Sequence, residues 1–292
     1  MAIGRLAVVR VDMLAALAVM ALALCPDSQS QEAGSVEATF AMEDRSLTVG
    51  EPVRVRFVVV NQTTVPIALA LGIDSRENFA FRLRRPDGGE STLPPWPRRE
   101  GLHGTGNFSV KPGERYQQYP LLNEWTTFRA AGEYVLEVKL NTPIQTPRGA
   151  VDVPPSRLAF EIAERDEYAL LETCERLTRQ IEQLWSVREL QEAATALAQI
   201  NEPLAVPYLE RALASRKYVE SIVTRALAQI GDANAVRVLA AVANESPQWP
   251  PDADTLTGWR AFLASRALGE IARKTTDKAL REEALRATRN GQ

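Results

Sequence analysis

A five-residue segment, Ala-Leu-Ala-Gln-Ile, occurs twice without change, at 196–200 and at 226–230, 30 residues apart. A related segment, Ala-Leu-Gly-Glu-Ile, follows at 267–271. A period of about 30 residues is typical of chains that repeat a pair of helices. Each copy ends a stretch whose apolar residues recur every three or four positions, as they do on one face of an α-helix. The repeat therefore predicts a C-terminal part of short stacked helices, with the repeated apolar residues in its core.

The helical pattern begins near residue 164 and continues to the last residues. A first amphipathic helix, which connects or caps, is predicted over 164–186, and its apolar stripe holds Leu170, Cys174, Leu177, Ile181 and Leu184. Cys174 is expected to act there as a small buried hydrophobe, without a disulfide partner. Repeat units are predicted over 187–292, and their helices are expected at 187–200, 204–215, 219–230, 235–243, 257–274 and 277–288.

Residues 31–163 have a different pattern, in which apolar and polar residues alternate with period two between turn residues. Val53, Val55, Phe57 and Val59, for example, share one face of a predicted strand. Turn residues such as those of Lys111-Pro112-Gly113-Glu114 separate such strands. About seven to nine short strands at this spacing predict a β-sandwich with almost no helix.

Two family resemblances follow from these segments. The run LTVGEPVRVRFVVVNQT, with the later VKPGERY and AGEYVLEVKL, resembles the immunoglobulin-like domains of bacterial envelope proteins and is similar to the bacterial intracellular proteinase-inhibitor type. The Ala-Leu-x-x-Ile helix ends, Gly231-Asp232 and the Ala-Val pairs at 205–206 and 235–236 resemble the short HEAT-like repeats of bacterial proteins and phycobilin lyases. The resemblances imply a multidomain all-β plus all-α chain, with an Ig-like β-sandwich over 31–163 and a short α-solenoid of HEAT-like helical pairs over 187–292. They imply recognition surfaces, and neither inhibitory nor lyase activity is carried over.

Residues 1–30 are predicted to be a signal peptide that is removed. Arg5 and Arg10 precede an apolar run, Met13 to Leu24, that is short for a membrane span and suits a signal peptide. The expected location is therefore the periplasm or the exterior of a bacterium. Cys25 directly after the run leaves lipidation open as an alternative. Membrane association is expected only through this segment, if it is retained or lipidated at Cys25.

The charge and histidine content exclude several classes of function. A formal net charge of −3 argues against a dedicated nucleic-acid binder, which needs clustered lysine and arginine. The chain has one histidine, His103, so the common zinc sites are not expected. No phosphate-binding glycine loop, nucleophile elbow or CxxC pair occurs in the sequence. We therefore predict no catalytic residues, no cofactor and no metal.

Two sets of residues are candidates for partner binding. The first is the proline-rich loop at 91–106, which presents Trp96, Arg98, Arg99 and His103. The same tryptophan can instead cover a sheet edge or the junction between the two parts. The second set is a basic bias on the first helical units, formed by Arg211, Lys217, Arg225 and Arg237. That set is either a groove for an acidic partner or an ordinary solvated face.

These features predict a non-enzymatic protein-binding or scaffolding protein of the bacterial envelope or exterior, which uses the helical surface and the loops of the strand-rich part. The alternative is an inhibitor or regulator of an extracytoplasmic enzyme that acts through the Pro94–His103 loop. A third hypothesis is a hydrolase or carbohydrate-binding enzyme that uses Trp96, His103 and nearby carboxylates.

Overall fold

The structure is a computed structural model that describes residues 34–71, 75–94, 107–184, 186–215, 218–244 and 256–290. The strands in this part are β1 (Val36–Met42), β2 (Ser46–Thr48), β3 (Val55–Asn61), β4 (Ile67–Ala70), β5 (Phe79–Arg84), β6 (Glu90–Thr92), β7 (Asn107–Val110), β8 (Arg115–Gln118), β9 (Gly132–Leu140), β10 (Ile144–Thr146), β11 (Gly149–Val151) and β12 (Ser156–Ala163). The α-helices are α1 (Glu167–Gln183), α2 (Val187–Gln199), α3 (Val206–Ser215), α4 (Glu220–Ile230), α5 (Ala233–Asn244), α6 (Leu256–Lys274) and α7 (Lys278–Asn290).

The twelve strands of the described residues form three sheets. Their orders are β1-β3-β8, β11-β10-β4-β7 and β2-β12-β9-β5-β6. Strand β2 runs parallel to β12, whereas β1 and β3, like β9 and β12, are antiparallel. The predicted fold class, an all-β immunoglobulin-like sandwich followed by an all-α solenoid of HEAT-like pairs, is therefore wrong. The chain has mixed α and β content, with sheets of three, four and five strands and seven helices in the described C-terminal half.

The side chain of Asn61 lies where the chain passes from one sheet to another. Asn61 is fully buried at the end of β3, where its amide donates to the carbonyl oxygens of Val65 and Val110. Its Oδ1 accepts hydrogen bonds from the backbone and the hydroxyl of Thr63. These bonds lie where the chain leaves the β1-β3-β8 sheet and enters β4 of another sheet. Alternation of apolar residues specifies which face of a strand is buried, but not where one sheet ends and the next begins.

The core of the strand-rich part lies between sheets and is rich in phenylalanine. Phe40 of β1 stands opposite Phe57 of β3, and their rings stack at 4.8 Å between centroids. Phe79 of β5, in the five-stranded sheet, meets the Phe57 ring edge-on at 5.4 Å. Aromatic pairs favour such offset and edge-on geometries. The aromatic contact therefore joins the three-stranded sheet to the five-stranded sheet.

Position 132 requires glycine for two reasons, the backbone conformation and the lack of room for a side chain. Gly132 has φ +135°, and a Cβ atom there would lie 2.7 Å from the ring of Pro86. We expect Gly132→Ala to destabilise the fold by about 2–3 kcal/mol in urea denaturation, because the strained backbone and the clash add. Gly113 is the matched control, since it also has positive φ, +76°, but open space around the Cβ position. Its alanine variant is expected to cost only about 1 kcal/mol. Equal losses for the two variants would contradict the steric part of the argument.

The repeated Ala-Leu-Ala-Gln-Ile segments lie at the C-terminal ends of α2 and α4. Ala196, Leu197, Ala226 and Leu227 are all buried, as the repeat predicted. Gly231 ends α4 in the left-handed conformation, with φ 61°, and its N–H donates to Leu227. Asn201, 30 residues earlier, also has positive φ, at 43°. Asparagine tolerates this conformation better than most residues, so it serves where glycine stands in the second copy.

The helices share one hydrophobic core that is separate from the core of the strands. Helix α1 packs on α2 and α3, and α2 packs on α4. Helix α4 contacts α5 and α6, while α7 packs on α5 and α6. Within the described residues, no helix is long and apolar enough to cross a membrane.

Candidate binding groove at the junction

A buried polar network joins the strand-rich part to the first helix. The Thr48 hydroxyl donates to the carbonyl of Glu164 at 2.5 Å and accepts from the backbone N–H of Asp166 at 2.7 Å. The Glu51 carboxylate accepts from the backbone N–H of Thr48 at 2.7 Å and from the Thr173 hydroxyl. Thr48, Glu51 and Thr173 are all buried, at 4%, 8% and 5% exposure. Hydrogen bonds in such a shielded place hold groups more firmly than in water, so the junction is rigid.

The turn that carries this network follows from its sequence. Thr48 and Glu51 bond reciprocally, because the Glu51 N–H also donates to the Thr48 carbonyl at 3.0 Å. The Glu51 side chain thus binds the Thr48 N–H as the glutamate of a capping box does, whereas the Thr48 hydroxyl is free of the turn and bonds Glu164 and Asp166. Gly50 in its centre has φ +102°, and a Cβ atom there would lie 3.4 Å from Leu170 of α1. The turn therefore rests directly on the helix.

Helix α1 has one buried face and one polar face. Asp166 caps its start and accepts hydrogen bonds from the backbone N–H groups of Tyr168 and Ala169. The predicted apolar stripe is confirmed in its main members, which are fully buried: Leu170, Cys174, Leu177 and Ile181. The polar face carries residues spaced by three or four positions: Tyr168, Glu172, Glu175, Arg179 and Gln183.

The polar face of α1 forms one wall of a groove of about 890 Å³, and the segment Asp44–Leu47 with the turn at Glu51 forms the other. Tyr168 is 71% exposed at this site, and Tyr208 of α3 also lines it. The lining residues are Asp44, Ser46, Leu47, Glu51, Tyr168, Ala169, Leu171, Glu172, Thr173, Glu175, Arg176, Arg179, Gln180, Gln183 and Tyr208. The volume is within the range of ligand sites in proteins and large enough for a few side chains of a partner.

Most charges in and beside the groove are already paired. Glu175 accepts from Arg179 at 2.7 Å and from Arg211 of α3 at 2.6 Å. These hydrogen bonds, first the one from Arg211, lower the pKa of the Glu175 carboxyl. Arg211 also binds Glu182 at 3.1 Å. The groups are exposed, so each pair contributes little stability, but together they fix the side chains.

The remaining polar groups of the wall are available to a ligand. Arg176 and Asp44 face each other across the groove at 3.5 Å, which is a loose ion pair. Among the described residues, the side chains of Glu172, Gln180 and Gln183 make no hydrogen bond or ion pair. The groove thus offers one unpaired carboxylate, two amides and the exposed ring of Tyr168.

Strand β2 is at the edge of its sheet beside this groove. An open edge can bind an extended peptide through backbone hydrogen bonds. Here the N–H and the carbonyl of Thr48 both bind Glu51, which closes that part of the edge. Recognition in the groove therefore depends on side chains more than on strand addition.

A second contact between the two parts lies at helix α2. The Arg188 guanidinium lies over the Tyr116 ring, 4.7 Å from its centroid, and burial raises the pKa of Tyr116 to about 12. Arg54 is 6% exposed, pairs with Glu43, and lies 5.5 Å from the ring centroid of Tyr119. Burial lowers the pKa of Arg54 and raises that of Glu43, each offset in part by the other's charge.

Five of the predicted partner-binding residues lie outside the described residues: Trp96, Arg98, Arg99, His103 and Lys217. The other three are exposed on different helices. Arg211 forms an ion pair with Glu175, which lines the groove, so Arg211 lies beside the groove. Arg237 of α5 pairs with Glu210 at 3.1 Å. Arg225 of α4 makes no ion pair within the described part of the chain. The basic bias of the sequence is thus largely neutralised by neighbouring acids.

Sequence reasoning missed the groove itself. Asp44 and Arg176 are 132 positions apart, and no local pattern indicates that they meet. One available signal was the polar face of α1, where an exposed tyrosine, Tyr168, stands one turn before Glu172.

The described residues offer little for metal or thiol chemistry. No group of three or more His, Cys, Asp or Glu side chains that can hold a metal ion occurs in the part of the chain that the structure describes. Cys174 is fully buried, and burial raises the pKa of its thiol to about 12. A thiol so far from ionisation is not a nucleophile at neutral pH.

No family model matches the chain, and no curated protein matches its sequence. Among solved structures, it is similar to a β-glucosidase from Listeria innocua in complex with glucose, at TM-score 0.24 and 10% identity over 44% of this chain and 16% of the other. A CARDB domain from Pyrococcus furiosus in complex with di-metal ions matches at TM-score 0.24 and 11% identity, over 46% of this chain and 90% of the other. An alkylpurine DNA glycosylase from Pseudomonas fluorescens matches at TM-score 0.23 and 13% identity, over 44% and 31%. Likeness at this level assigns the chain neither a family nor a function.

Proposed function

We propose that this chain is a non-catalytic protein-binding protein of the bacterial envelope or exterior, and that it holds a segment of its partner in the groove between Asp44–Leu47 and helix α1. The observation that carries the proposal is the groove itself, whose two walls come from distant parts of the chain and are joined by the Thr48–Glu51–Thr173 network. A site that is already rigid loses less conformational entropy when it binds.

The exposed groups of the groove suit a protein partner. Tyrosine is enriched at interfaces because its ring is large, stiff and able to hydrogen-bond at one end. Tyr168 is 71% exposed, although a tyrosine is usually at least partly covered. Beside it, Glu172, Gln180 and Gln183 supply hydrogen-bonding groups that no neighbour in the described chain uses.

The positions of the titratable groups favour binding over catalysis. Catalytic acids and bases have pKa values shifted toward their working pH, and they lie in clefts. Glu175 in the groove has a lowered pKa, and the two carboxyls with raised pKa, Glu43 and Glu192, are not among the residues that line the groove. The envelope or external location depends on the predicted signal peptide at 1–30, which lies outside the described residues.

Site-specific photo-crosslinking tests this proposal. The chain without residues 1–30 carries a photoreactive phenylalanine analogue at position 168, or at position 218 as the matched control. Tyr218 is also an exposed tyrosine, at 56%, but it does not line the groove. We expect one defined partner from an envelope fraction to crosslink at 168 and not at 218. Equal yields at the two positions would argue against the groove.

Affinity for the captured partner then measures the contribution of the groove. We expect Tyr168→Ala to weaken binding at least about tenfold, as the loss of an interface tyrosine commonly does. Arg225→Ala, on the exposed face of α4, is expected to leave the affinity unchanged. If Trp96→Ala abolishes capture while Tyr168→Ala does not, the binding site is the Pro94–His103 loop instead.

A further inference from the structure

Two tyrosine rings of the strand-rich part each lie against an arginine that also pairs with a glutamate. In the first case, the Arg188 guanidinium lies 4.7 Å from the centroid of the Tyr116 ring, and Arg188 Nε is 4.0 Å from Glu192 Oε1. A cation within about 6 Å of an aromatic ring is attracted to the negative ring face. The neighbouring carboxylate adds an ion pair, so the arginine is held from two sides.

The second case has the same composition. Arg54 lies 5.5 Å from the centroid of the Tyr119 ring and pairs with Glu43. In both cases the cation comes from this chain. A tyrosine beside a glutamate is therefore an arrangement that this protein already uses to hold a cationic side chain.

Tyr168 and Glu172 of the groove form a third tyrosine–glutamate pair, and it holds no cation of the described chain. The two residues are four positions apart on α1, so they share a helix face with their Cβ atoms about 5–6 Å apart. Tyr168 is 71% exposed, and Glu172 is exposed beside it. Within the described residues, no arginine or lysine lies over the Tyr168 ring or pairs with Glu172.

The charges that line the groove leave Glu172 uncompensated. The lining contains four carboxylates and two guanidiniums: Asp44, Glu51, Glu172, Glu175, Arg176 and Arg179. Arg176 faces Asp44 at 3.5 Å, and Arg179 binds Glu175 at 2.7 Å. Both guanidiniums of the lining are therefore already paired with carboxylates of the lining.

The charges next to the lining do not change this balance. Arg211 adds a third guanidinium, but it binds Glu175 and also Glu182 outside the lining. Arg45 and Glu167, which are next to lining residues in the sequence, do not line the groove and have opposite charges. Glu51 is bonded only by neutral donors, the Thr48 N–H and the Thr173 hydroxyl. The groove thus has two carboxylates without a cation, of which Glu172 is the exposed one.

We propose that the groove recognises a lysine or arginine side chain of the partner, held between the Tyr168 ring and the Glu172 carboxylate. This inference rests on the proposed function, since it gives the chemistry of the segment that the groove binds. The cation completes the third tyrosine–glutamate pair as Arg188 and Arg54 complete the other two. Farther along the same helix face, Gln180 and Gln183 supply acceptors and donors for the rest of the segment.

Selection of random peptides tests the chemistry of the segment without the natural partner. A phage-displayed library of random dodecapeptides is selected on the wild-type chain, and each binder is then assayed on Tyr168→Ala. We expect the peptides that require Tyr168 to be enriched in lysine and arginine relative to the unselected library. An unchanged lysine and arginine content in these peptides overturns the proposal.

Charge exchange then identifies the contact. For a peptide that requires Tyr168, we expect Glu172→Gln to weaken binding about threefold to tenfold and Glu172→Lys at least about tenfold. When the essential basic residue of the peptide is replaced by glutamate, Glu172→Lys is expected to bind it more tightly than the wild type does. Glu282→Lys changes an exposed carboxylate on α7 and is expected to leave both affinities unchanged. Equal losses for the variants at 172 and 282 refute the contact.

The failure of this inference differs from the failure of the groove. Peptides that require Tyr168 but bind Glu172→Lys as tightly as the wild type overturn the cation and leave the groove as the binding site. If no selected peptide requires Tyr168, the groove itself is contradicted, and the cation proposal with it. Urea denaturation of each variant shows that a loss of binding is not a loss of folding.

Discussion

Phe57→Ala is expected to destabilise the protein by about 3–5 kcal/mol, the largest effect of any single substitution considered. The side chain is fully buried, stacks on Phe40 at 4.8 Å and meets Phe79 edge-on at 5.4 Å. Its removal leaves a cavity between two sheets, and the rigid strands around it can collapse only in part. The measurement is urea denaturation followed by both far-ultraviolet circular dichroism and tryptophan fluorescence.

Phe57→Leu is the matched control for this prediction. Leucine keeps most of the buried volume but loses the ring contacts, so a cost of about 1–2 kcal/mol is expected. A loss below about 1 kcal/mol for Phe57→Ala would mean that the aromatic contact is not central to the core.

Glu51→Ala is expected to cost about 2–4 kcal/mol, because it leaves two buried donors without an acceptor. These are the backbone N–H of Thr48 and the hydroxyl of Thr173, each now bonded to the Glu51 carboxylate. Glu172→Ala, one residue before Thr173 but exposed, is expected to change stability by less than about 0.5 kcal/mol. The readout is the free energy of unfolding at neutral pH.

A double-mutant cycle with Thr173→Val tests the contact between the two parts directly. If Glu51 and Thr173 bond as the structure has them, the two substitutions are coupled by about 1–2 kcal/mol. Additive losses would show that the two residues act independently and that the groove wall is held by other contacts.

The helices were largely predictable from sequence. Their apolar residues repeat every three or four positions, and tertiary packing buries that face, as at Leu177 and Leu197. The predicted ends of the helices agree with the structure to within a few residues, because Gly231 and the proline at 203 mark positions where one helix has ended and the next has not begun.

The sheets were less predictable because pairing is not a local property. Leu47 and Thr48 form β2 through a parallel pairing with Ile162 and Ala163, more than a hundred positions away. The short strands β10 and β11 extend the four-stranded sheet beside β4. Three residues give too little alternation to indicate a strand.

The groove was the least predictable feature, for the same reason. The sequence marks Tyr168 and Glu172 as residues of a polar helix face, and most such faces are simply solvated. Only the fold adds the opposite wall at Asp44–Leu47 and the buried carboxylate of Glu51. Arg211 and Arg237, which the sequence favoured as partner-binding residues, form ion pairs with neighbouring glutamates.

The bond of the Thr48 hydroxyl to Glu164 and Asp166 bears on how the chain can be divided. A cut between β12 and α1 separates the helix start from the threonine that binds it, and it exposes Leu170 where Gly50 now rests. If the helical half is produced alone, we expect the first turn of α1 to fray and the apolar side chain of Leu170 to be exposed to solvent. The strand-rich half and the helical half are therefore expected to fold as one unit, and a fusion or truncation should keep them together, although one consists of strands and the other of helices.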